Sequence, residues 1–440
     1  MNRLLLYLWI ILFLTDLTFS QTETVSDKLQ GNATLDNCIQ YALSHQPSLQ
    51  KSLTDEKIIN HEIWGKLADW FPQLNFNFNY QHNYKLQTSV FQGNTVHFGV
   101  VNTSNAQFSL NQTIFNRDVL LASSTAGDVR NQAKQITTEN KIDVVVNVSK
   151  AFYAVLAAQG QIDLVNEDIR RLQQSKKDTY FQYKSGVVDK TDYMRATIAL
   201  NNALAEQKQD EEQLKSSYAF LKDEMGYSPK SELKLVYDTN KMENDIFADT
   251  SQTINYENRI EYKLLETGKR LQEANLNYYK WSFIPSLSLF GVYNYNYLND
   301  KFSKLYSQSY PSAYAGLQLT FPIFQGGKRI QEIEQAELEV DKYNYDLSSL
   351  ESTLNTQYVQ ALSSYKSNLK NYNAQKENVD LAKEVYNTIE LQYKSGVKAY
   401  LDVITAETQL RTTQVNYINS LYRLLSSKLD LQKALGTVNY

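Results

Sequence analysis

The hexapeptide Gln182-Tyr183-Lys184-Ser185-Gly186-Val187 decides the fold, because it occurs a second time as Gln392-Tyr393-Lys394-Ser395-Gly396-Val397. In both copies an aspartate follows six residues after the glycine, at Asp192 and Asp402. Other matches lie at the same spacing: Pro72 and Leu74 after Trp70 with Pro285 and Leu287 after Trp281, and Ile114-Phe115 with Ile323-Phe324. A repeat of about 210 residues is too long for a solenoid unit, so it predicts a duplicated half-structure.

The N-terminus has the pattern of a secretory signal peptide. A basic start, Met1-Asn2-Arg3, precedes an apolar run from Leu4 to Leu14, and the segment ends near Ser20. The run is shorter than the roughly 20 apolar residues of a membrane helix. We therefore expect a signal peptide at residues 1–20, a first structural repeat at 21–240 and a second at 241–440.

Composition argues against a helical membrane protein and gives no reason to expect a nucleic-acid-binding protein. The net charge is −4 and the mean hydropathy is negative. No later segment approaches the composition of a membrane helix, and nothing indicates nucleic-acid binding. The single cysteine, Cys38, cannot pair within the chain and is expected to be a packing residue.

Catalytic chemistry finds no support in the sequence. The four histidines, at positions 45, 61, 82 and 97, lack the HExxH spacing of a zinc site. There is no phosphate-binding glycine loop of either common form. We expect no enzyme activity, no cofactor and no metal.

Two segments in each half alternate with a period of two, which is typical of strands. Leu74, Phe76, Phe78 and Tyr80 alternate with Asn and Gln; in the second half the apolar members are Leu287, Leu289, Tyr293, Tyr295 and Tyr297. Return strands are expected at about 96–112 and 313–321. This alternation fits a half-buried soluble sheet as well as a membrane barrel.

Three features favour the barrel. The strands reach the 9–11 residues of a tilted transmembrane strand, and their polar faces are rich in Asn, Gln and Ser. Trp70 and Trp281 precede the outgoing strands as membrane-interface aromatics, and tyrosines cluster at the far ends. Because a closed membrane barrel needs at least about eight strands, four per chain require an oligomer, and a trimer supplies twelve.

Besides the alternating strands, the sequence predicts two very long helices. Asp118 to Lys184 and Lys328 to Lys394 contain no proline and almost no glycine. Each spans about 100 Å at 1.5 Å per residue. Shorter helices flank each one, the first running from Leu35, with Thr34 as N-cap, past Pro47 to about Trp70. We expect these to stack end to end into a second rod, and residues 227–254 to pack outside the rods as a belt.

By these residues the chain resembles the TolC family of outer-membrane efflux proteins over essentially its whole mature length. Three places carry the resemblance: the junction Phe321-Pro322-Ile323-Phe324-Gln325-Gly326-Gly327-Lys328, the opening helix with Leu35-Asp36-Asn37-Cys38-Ile39 and Gln46-Pro47-Ser48-Leu49, and the two Tyr-Lys-Ser-Gly-Val turns. The first-half junction, Ile114-Phe115-Asn116-Arg117, departs from the pattern by lacking the glycine pair.

The resemblance implies an α+β membrane protein of a Gram-negative cell outer membrane. Three identical chains would form a twelve-stranded β-barrel among outer-membrane lipid, with four strands per chain, continued by a long α-helical barrel in the periplasm. Such a homotrimer docks onto a periplasmic adaptor (membrane fusion) protein and, through it, an inner-membrane pump. It is then the passive exit duct of a tripartite efflux pump or type I secretion system.

The glycines of the two turns fit the C′ position after a helix, where a positive φ is needed. The resemblance makes these turns the periplasmic tip that contacts the adaptor, through Gly186, Val187, Gly396 and Val397. Asp189 is expected to cap the helix that contains Asp192, whereas Ala399 makes the same explanation weaker for Asp402.

The resemblance also implies a periplasmic gate, or latch, made by Asp192, Tyr393, Lys398 and Asp402. Three copies of Asp402 around an axis would form an acidic ring that favours cations. Lys398 stands where some family members have arginine, and it bonds without the bidentate fork. Thr405 stands where some carry a second acidic ring.

An alternative function is a secreted or surface structural coiled coil without a pore. The alternating strands with aromatic ends, and the helix pattern broken at repeated positions, argue against it. The cargo stays open between drugs, metal ions, detergents and proteins.

Overall fold

The structure, a computed structural model, describes residues 33–91, 93–237, 242–243 and 245–440. The expected signal peptide and the start of the first repeat lie outside the described residues. The helices are α1 (Leu35–His45), α2 (Pro47–Leu67), α3 (Arg117–Lys184), α4 (Lys190–Met225), α5 (Ile260–Lys280), α6 (Lys328–Lys394) and α7 (Tyr400–Leu435). The strands are β1 (Gln73–His82), β2 (Gln87–Phe91), β3 (Asn94–Phe98), β4 (Asn102–Phe115), β5 (Ser286–Asn299) and β6 (Ser309–Thr320). Each half thus contains, in this order, a helical segment, strands, a long helix, a tip turn and a final helix.

The long helices begin and end where local chemistry stops the backbone from continuing. Asn116 caps α3 by accepting a hydrogen bond from the Asp118 N–H at 2.9 Å. Thr34 caps α1 as expected, accepting from the Asn37 N–H at 3.3 Å. The single helical run predicted from Leu35 to about Trp70 is wrong in one respect: it is divided at Pro47, whose missing N–H ends one helix and begins the next.

Two further glycines join the short helices into rods. Gly226 ends α4 at φ +64°, and a Cβ added there would lie 2.8 Å from the carbonyl oxygen of His45. Gly436 ends α7 at φ +71°, and its added Cβ would lie 2.9 Å from the carbonyl oxygen of Asn258. The end of α4 therefore meets the start of α2, and the end of α7 meets the start of α5. The predicted end-to-end stacking beside α3 and α6 is confirmed.

The four long strands form one antiparallel sheet in the order β1-β4-β5-β6. The central pair, β4 and β5, joins the two halves of the chain, so β1 and β6 are its edges. A separate hairpin, β2–β3, lies between β1 and β4 in the chain. The return strand expected at 96–112 is therefore wrong at its start: residues 96–98 belong to β3, and Gly99 at φ +99° turns the chain before β4 begins.

The main hydrophobic core lies midway along the long helices. Cys38 is fully buried in it, as expected of a packing residue. One stretch of α3 is long and apolar enough, by length and composition only, to cross a membrane, but 61% of it is buried inside the chain. The expectation that no later segment has the composition of a membrane helix is therefore wrong as to composition, while buried valines of α3, such as Val144, Val148 and Val155, are part of the core.

The belt segment packs against the long helices through tyrosines of α6. The Tyr365 hydroxyl accepts from the Ala248 N–H at 2.8 Å and donates to the Ile246 carbonyl at 3.0 Å. The Tyr358 hydroxyl donates to the Gln252 carbonyl at 2.7 Å. These bonds hold the backbone between the two halves against the rods.

We predict that Gly226→Ala destabilises the protein more than Gly186→Ala does. Both glycines have positive φ, which costs an alanine about 1–2 kcal/mol. Only Gly226 also has backbone within contact of the added methyl group, whereas nothing lies within 4 Å at Gly186. Thermal unfolding followed by circular dichroism measures both variants, and equal melting temperatures would contradict the stacked-rod packing.

Candidate functional site

The four-stranded sheet has one apolar and one polar face. The register places Phe76 opposite Phe108, and Phe108 opposite Tyr293. The same face carries Leu74, Phe78, Tyr80, Leu110, Leu287, Leu289, Leu317 and Leu319. Leu74 is 69% exposed, and Leu317 and Leu319 are each 66% exposed. A sheet that leaves a face of leucine and aromatic side chains uncovered is suited to lipid rather than water.

The other face is lined mainly with amides and hydroxyls, together with Phe290 and Val292. The Asn105 side-chain amide donates to the Asn296 side-chain oxygen across β4 and β5 at 2.6 Å. Asn294 donates to the Ser312 hydroxyl at 3.4 Å, and the Asn296 amide to the Tyr310 carbonyl at 3.2 Å. Such a neutral polar surface matches the water-filled interior of a barrel.

The two edges of this sheet carry unpaired backbone groups. Within the described residues, β1 pairs only with β4, and β6 pairs only with β5. In a lipid environment every backbone N–H and C=O needs a protein partner. An open four-stranded sheet with a lipid-facing side is therefore incomplete as a single chain.

The expected interface tryptophans lie at the helix-to-strand junctions. Trp70 ends a 3₁₀ turn between α2 and β1, and Trp281 begins one between α5 and β5. The reverse junctions are each stabilised by an arginine on an aromatic ring. The Arg117 guanidinium lies 4.3 Å from the centre of the Tyr278 ring, and that of Arg329 lies 5.1 Å from the Phe283 ring. The first-half junction, which lacks the glycine pair, thus keeps the same contact type.

The repeated hexapeptide forms the same C-cap at both tips. The Val187 N–H donates to the Gln182 carbonyl and the Gly186 N–H to the Tyr183 carbonyl, at 2.9 and 3.1 Å. The second copy makes the equivalent pair of bonds, both at 2.9 Å. This is a Schellman motif, and φ values of +74° and +75° make glycine the favoured residue. Val187 and Val397 extend from the turns, each 72% exposed.

Tyr393 connects the two tips by a hydrogen bond to Gln182, a residue that the sequence patterns did not indicate. Its hydroxyl donates to the Gln182 side-chain oxygen of the first hairpin at 2.9 Å. Burial and the nearby Asp192 carboxylate raise the pKa of Tyr393, so this hydroxyl stays protonated. In this single chain, no hydrogen bond or ion pair among the described residues joins Asp192 to Tyr393 or Lys398.

The two tip aspartates have different local roles. Asp189 caps α4 as expected, accepting from the Thr191 N–H at 2.9 Å. Asp402 also acts as a cap, because its carboxylate accepts from the Ala399 N–H at 3.2 Å. The expectation that capping is a weak explanation for Asp402 is therefore wrong: the carboxylate reaches back from the third helical position, so Ala399 needs no polar side chain.

Sequence reasoning missed a charged cluster that lies above the tips, that is, farther along the helices toward the sheet. Asp168 and Arg171 of α3, Glu206 of α4, and Glu407 and Arg411 of α7 form a connected set of ion pairs. Opposite charges three and four residues apart on predicted helices were a usable signal. That spacing is common on helix surfaces, and only the packing shows that the carboxylates of Asp168 and Glu407 are buried. Over the part of the chain that the structure describes, no cluster of metal-ligating side chains is present.

Comparisons with known proteins agree with this geometry. The family described as "Outer membrane efflux protein" matches residues 38–226 and 263–437. The outer membrane protein TolC of Vibrio cholerae is 24% identical over 344 residues, covering 76% of this chain and 77% of that protein. TolC of Escherichia coli is 22% identical over 419 residues, covering 91% and 81%.

The fold is shared with solved outer-membrane channels. The Neisseria gonorrhoeae MtrE outer membrane channel, solved in an open state, superposes with a TM-score of 0.73 at 19% identity, covering 92% of this chain and 91% of that one. The alternative of a structural coiled coil without a pore is not supported. The chain belongs to the outer membrane efflux protein family, and it is an outer-membrane efflux channel with the TolC-like fold.

Proposed function

We propose that three copies of this chain close into a twelve-stranded barrel, in which β6 of each copy pairs with β1 of the next. The unpaired edges of a sheet with one lipid-suited face carry this proposal. Twelve strands exceed the roughly eight that the smallest closed membrane barrels require. The amide face then lines an aqueous pore, and the rods of the three chains continue it through the periplasm.

The channel is proposed as the passive exit duct of a tripartite efflux pump or a type I secretion system. Its tip turns, with Gly186, Val187, Gly396 and Val397, are proposed to contact a periplasmic adaptor that connects to an inner-membrane pump. Each turn presents a valine that is 72% exposed at the end of a Schellman cap, and these two side chains are the groups proposed to meet the partner. Trp70 and Trp281 are proposed to lie at the membrane interface.

The tip is proposed to be a gate. The bond between Tyr393 and Gln182 holds the second hairpin to the first within one chain. Asp192 and Lys398 make no ion pair with each other in this chain, so we assign Lys398 to the Asp192 of a neighbouring copy. Asp402 would then repeat three times around the axis as an acidic ring. The MtrE channel, which has the same fold, was solved in an open state, and a gate of this kind supposes a closed state as well.

Purified protein in a planar lipid bilayer tests this function. We expect discrete conductance steps that favour cations, from an assembly that dissociates only on heating. A protein that never conducts would contradict the channel function.

We predict that Phe76→Arg and the adjacent Asn77→Arg differ sharply. Phe76 is on the apolar face, where an arginine facing lipid costs up to about 2–4 kcal/mol, the cost being largest at the bilayer midplane. Asn77 is on the amide face, so its replacement should permit assembly and reduce cation preference. Dissociation temperature on a semi-native gel and reversal potential measure the two effects. Equal loss of assembly would contradict the assignment of faces.

We predict that Tyr393→Phe and Lys398→Ala each raise single-channel conductance, because each removes a bond that holds the tip closed. Tyr183→Phe is the control for the first, since Tyr183 has the same position in the other copy of the hexapeptide. Lys394→Ala is the control for the second, since Lys394 pairs with Glu390 of its own helix at 2.9 Å. Unchanged conductance in both test variants would overturn the latch.

A further inference from the structure

The charged cluster above the tips connects the second hairpin to both helices of the first. Arg171 of α3 donates through Nε to Glu407 of α7 at 3.3 Å, and it also pairs with Asp168. Arg411 of α7 pairs through Nε with Asp168 of α3 at 3.2 Å and through Nη2 with Glu206 of α4. Two arginines and three carboxylates, which we call the joint, thus span α3, α4 and α7.

The joint is buried where it crosses between the hairpins. The side chains of Asp168 and Glu407 are 1% and 11% exposed, while that of Glu206 is 38% exposed. Burial raises the pKa of both Asp168 and Glu407, and the adjacent arginine Arg171 opposes that rise. Buried ion pairs add little net stability because of their desolvation cost, yet removing one member leaves an uncompensated charge. The joint therefore specifies a position of α7 more than it strengthens the fold.

Within the first hairpin, the packing between α3 and α4 at the same distance from the tip is apolar. There, Val165, Ile169 and Leu172 of α3 pack on Leu200 and Ala203 of α4 without charged groups. Apolar contacts of this kind hold two helices together through a rearrangement. Contacts between the hairpins include the ion pairs of the joint at this level, whereas about one turn nearer the tip Ala196 of α4 packs on Tyr400 and Val403 of α7. Ion pairs, unlike such apolar contacts, can exchange their partners for water.

Open space flanks the joint on both sides. A cleft of about 340 Å³ lies against Asp168 and Arg411, between α3, α4 and α7. A second cleft of about 470 Å³ lies against Arg171 and Glu407 and extends to Tyr393. Water can therefore reach both arginines as soon as α7 moves, and α7 has room to move.

We propose that Asp168, Arg171, Glu206, Glu407 and Arg411 form a separable joint, which holds α7 against the first hairpin while the tip is closed and breaks when the tip widens. This inference rests on the proposed gated channel. It adds positioning residues more than two helical turns from the tip glycines, and two of them, Glu407 and Arg411, lie on the helix that carries Asp402.

Arg411→Met tests the joint directly, because it removes the ion pairs that join α7 to Asp168 of α3 and to Glu206 of α4 while keeping a long side chain and the Arg171–Glu407 pair. In bilayer recordings of the full-length protein, the closed-to-open ratio should fall at least about tenfold, since buried Asp168 loses one of its two counter-charges. Arg423→Met is the matched control: Arg423 is exposed on the same helix and forms no ion pair with another described residue. It should gate like the unmodified protein.

Glu206→Gln keeps the test decisive if Arg411→Met fails to assemble, because Glu206 is the most exposed acid of the joint. It should shift gating in the same direction by a smaller factor. Its control is Glu211→Gln, since Glu211 forms its one ion pair among the described residues with Lys208 of the same helix, at 3.6 Å. If the assembled variants gate normally, the joint is overturned while the channel stands. If the unmodified protein never conducts, the channel function itself fails.

Discussion

The backbone of a membrane strand needs a hydrogen-bonding partner on each side, and the rest of this structure depends on that constraint. The chain supplies four strands with one lipid-suited face, and both edges of the sheet remain unpaired. Only other chains can pair these edges in lipid. In the proposed trimer, symmetry places the helices that leave the sheet in a ring, so the number of chains around the helical tunnel is set by the barrel.

Glycine determines how the tunnel is assembled from duplicated parts. Gly186 and Gly396 reverse the chain at the tips, while Gly226 and Gly436 let the end of one helix meet the start of another. Each pair stands at the same position in the two halves. The halves nevertheless differ where function is proposed: the first tip offers the acid Asp192, and the second offers Tyr393 and Lys398.

Sequence patterns predicted the fold where they were periodic. The period of two identified the strands and their faces, and the absence of proline identified α3 and α6 almost to the residue. The break at Pro47 and the β2–β3 hairpin were missed because a few turn residues decide them. The residues of the functional site were harder to predict from the sequence. Gln182 and the five residues of the joint depend on which helix faces pack together, and helical spacing alone does not determine that.

The number of copies in the assembled protein tests the central claim most directly. Native mass spectrometry of protein extracted from outer membranes counts the chains without assuming a function. Pairing of the β1 and β6 edges into a twelve-stranded barrel predicts a mass of three chains. A mass of one or two chains would contradict it, because these supply four or eight strands and not the twelve of the proposed barrel.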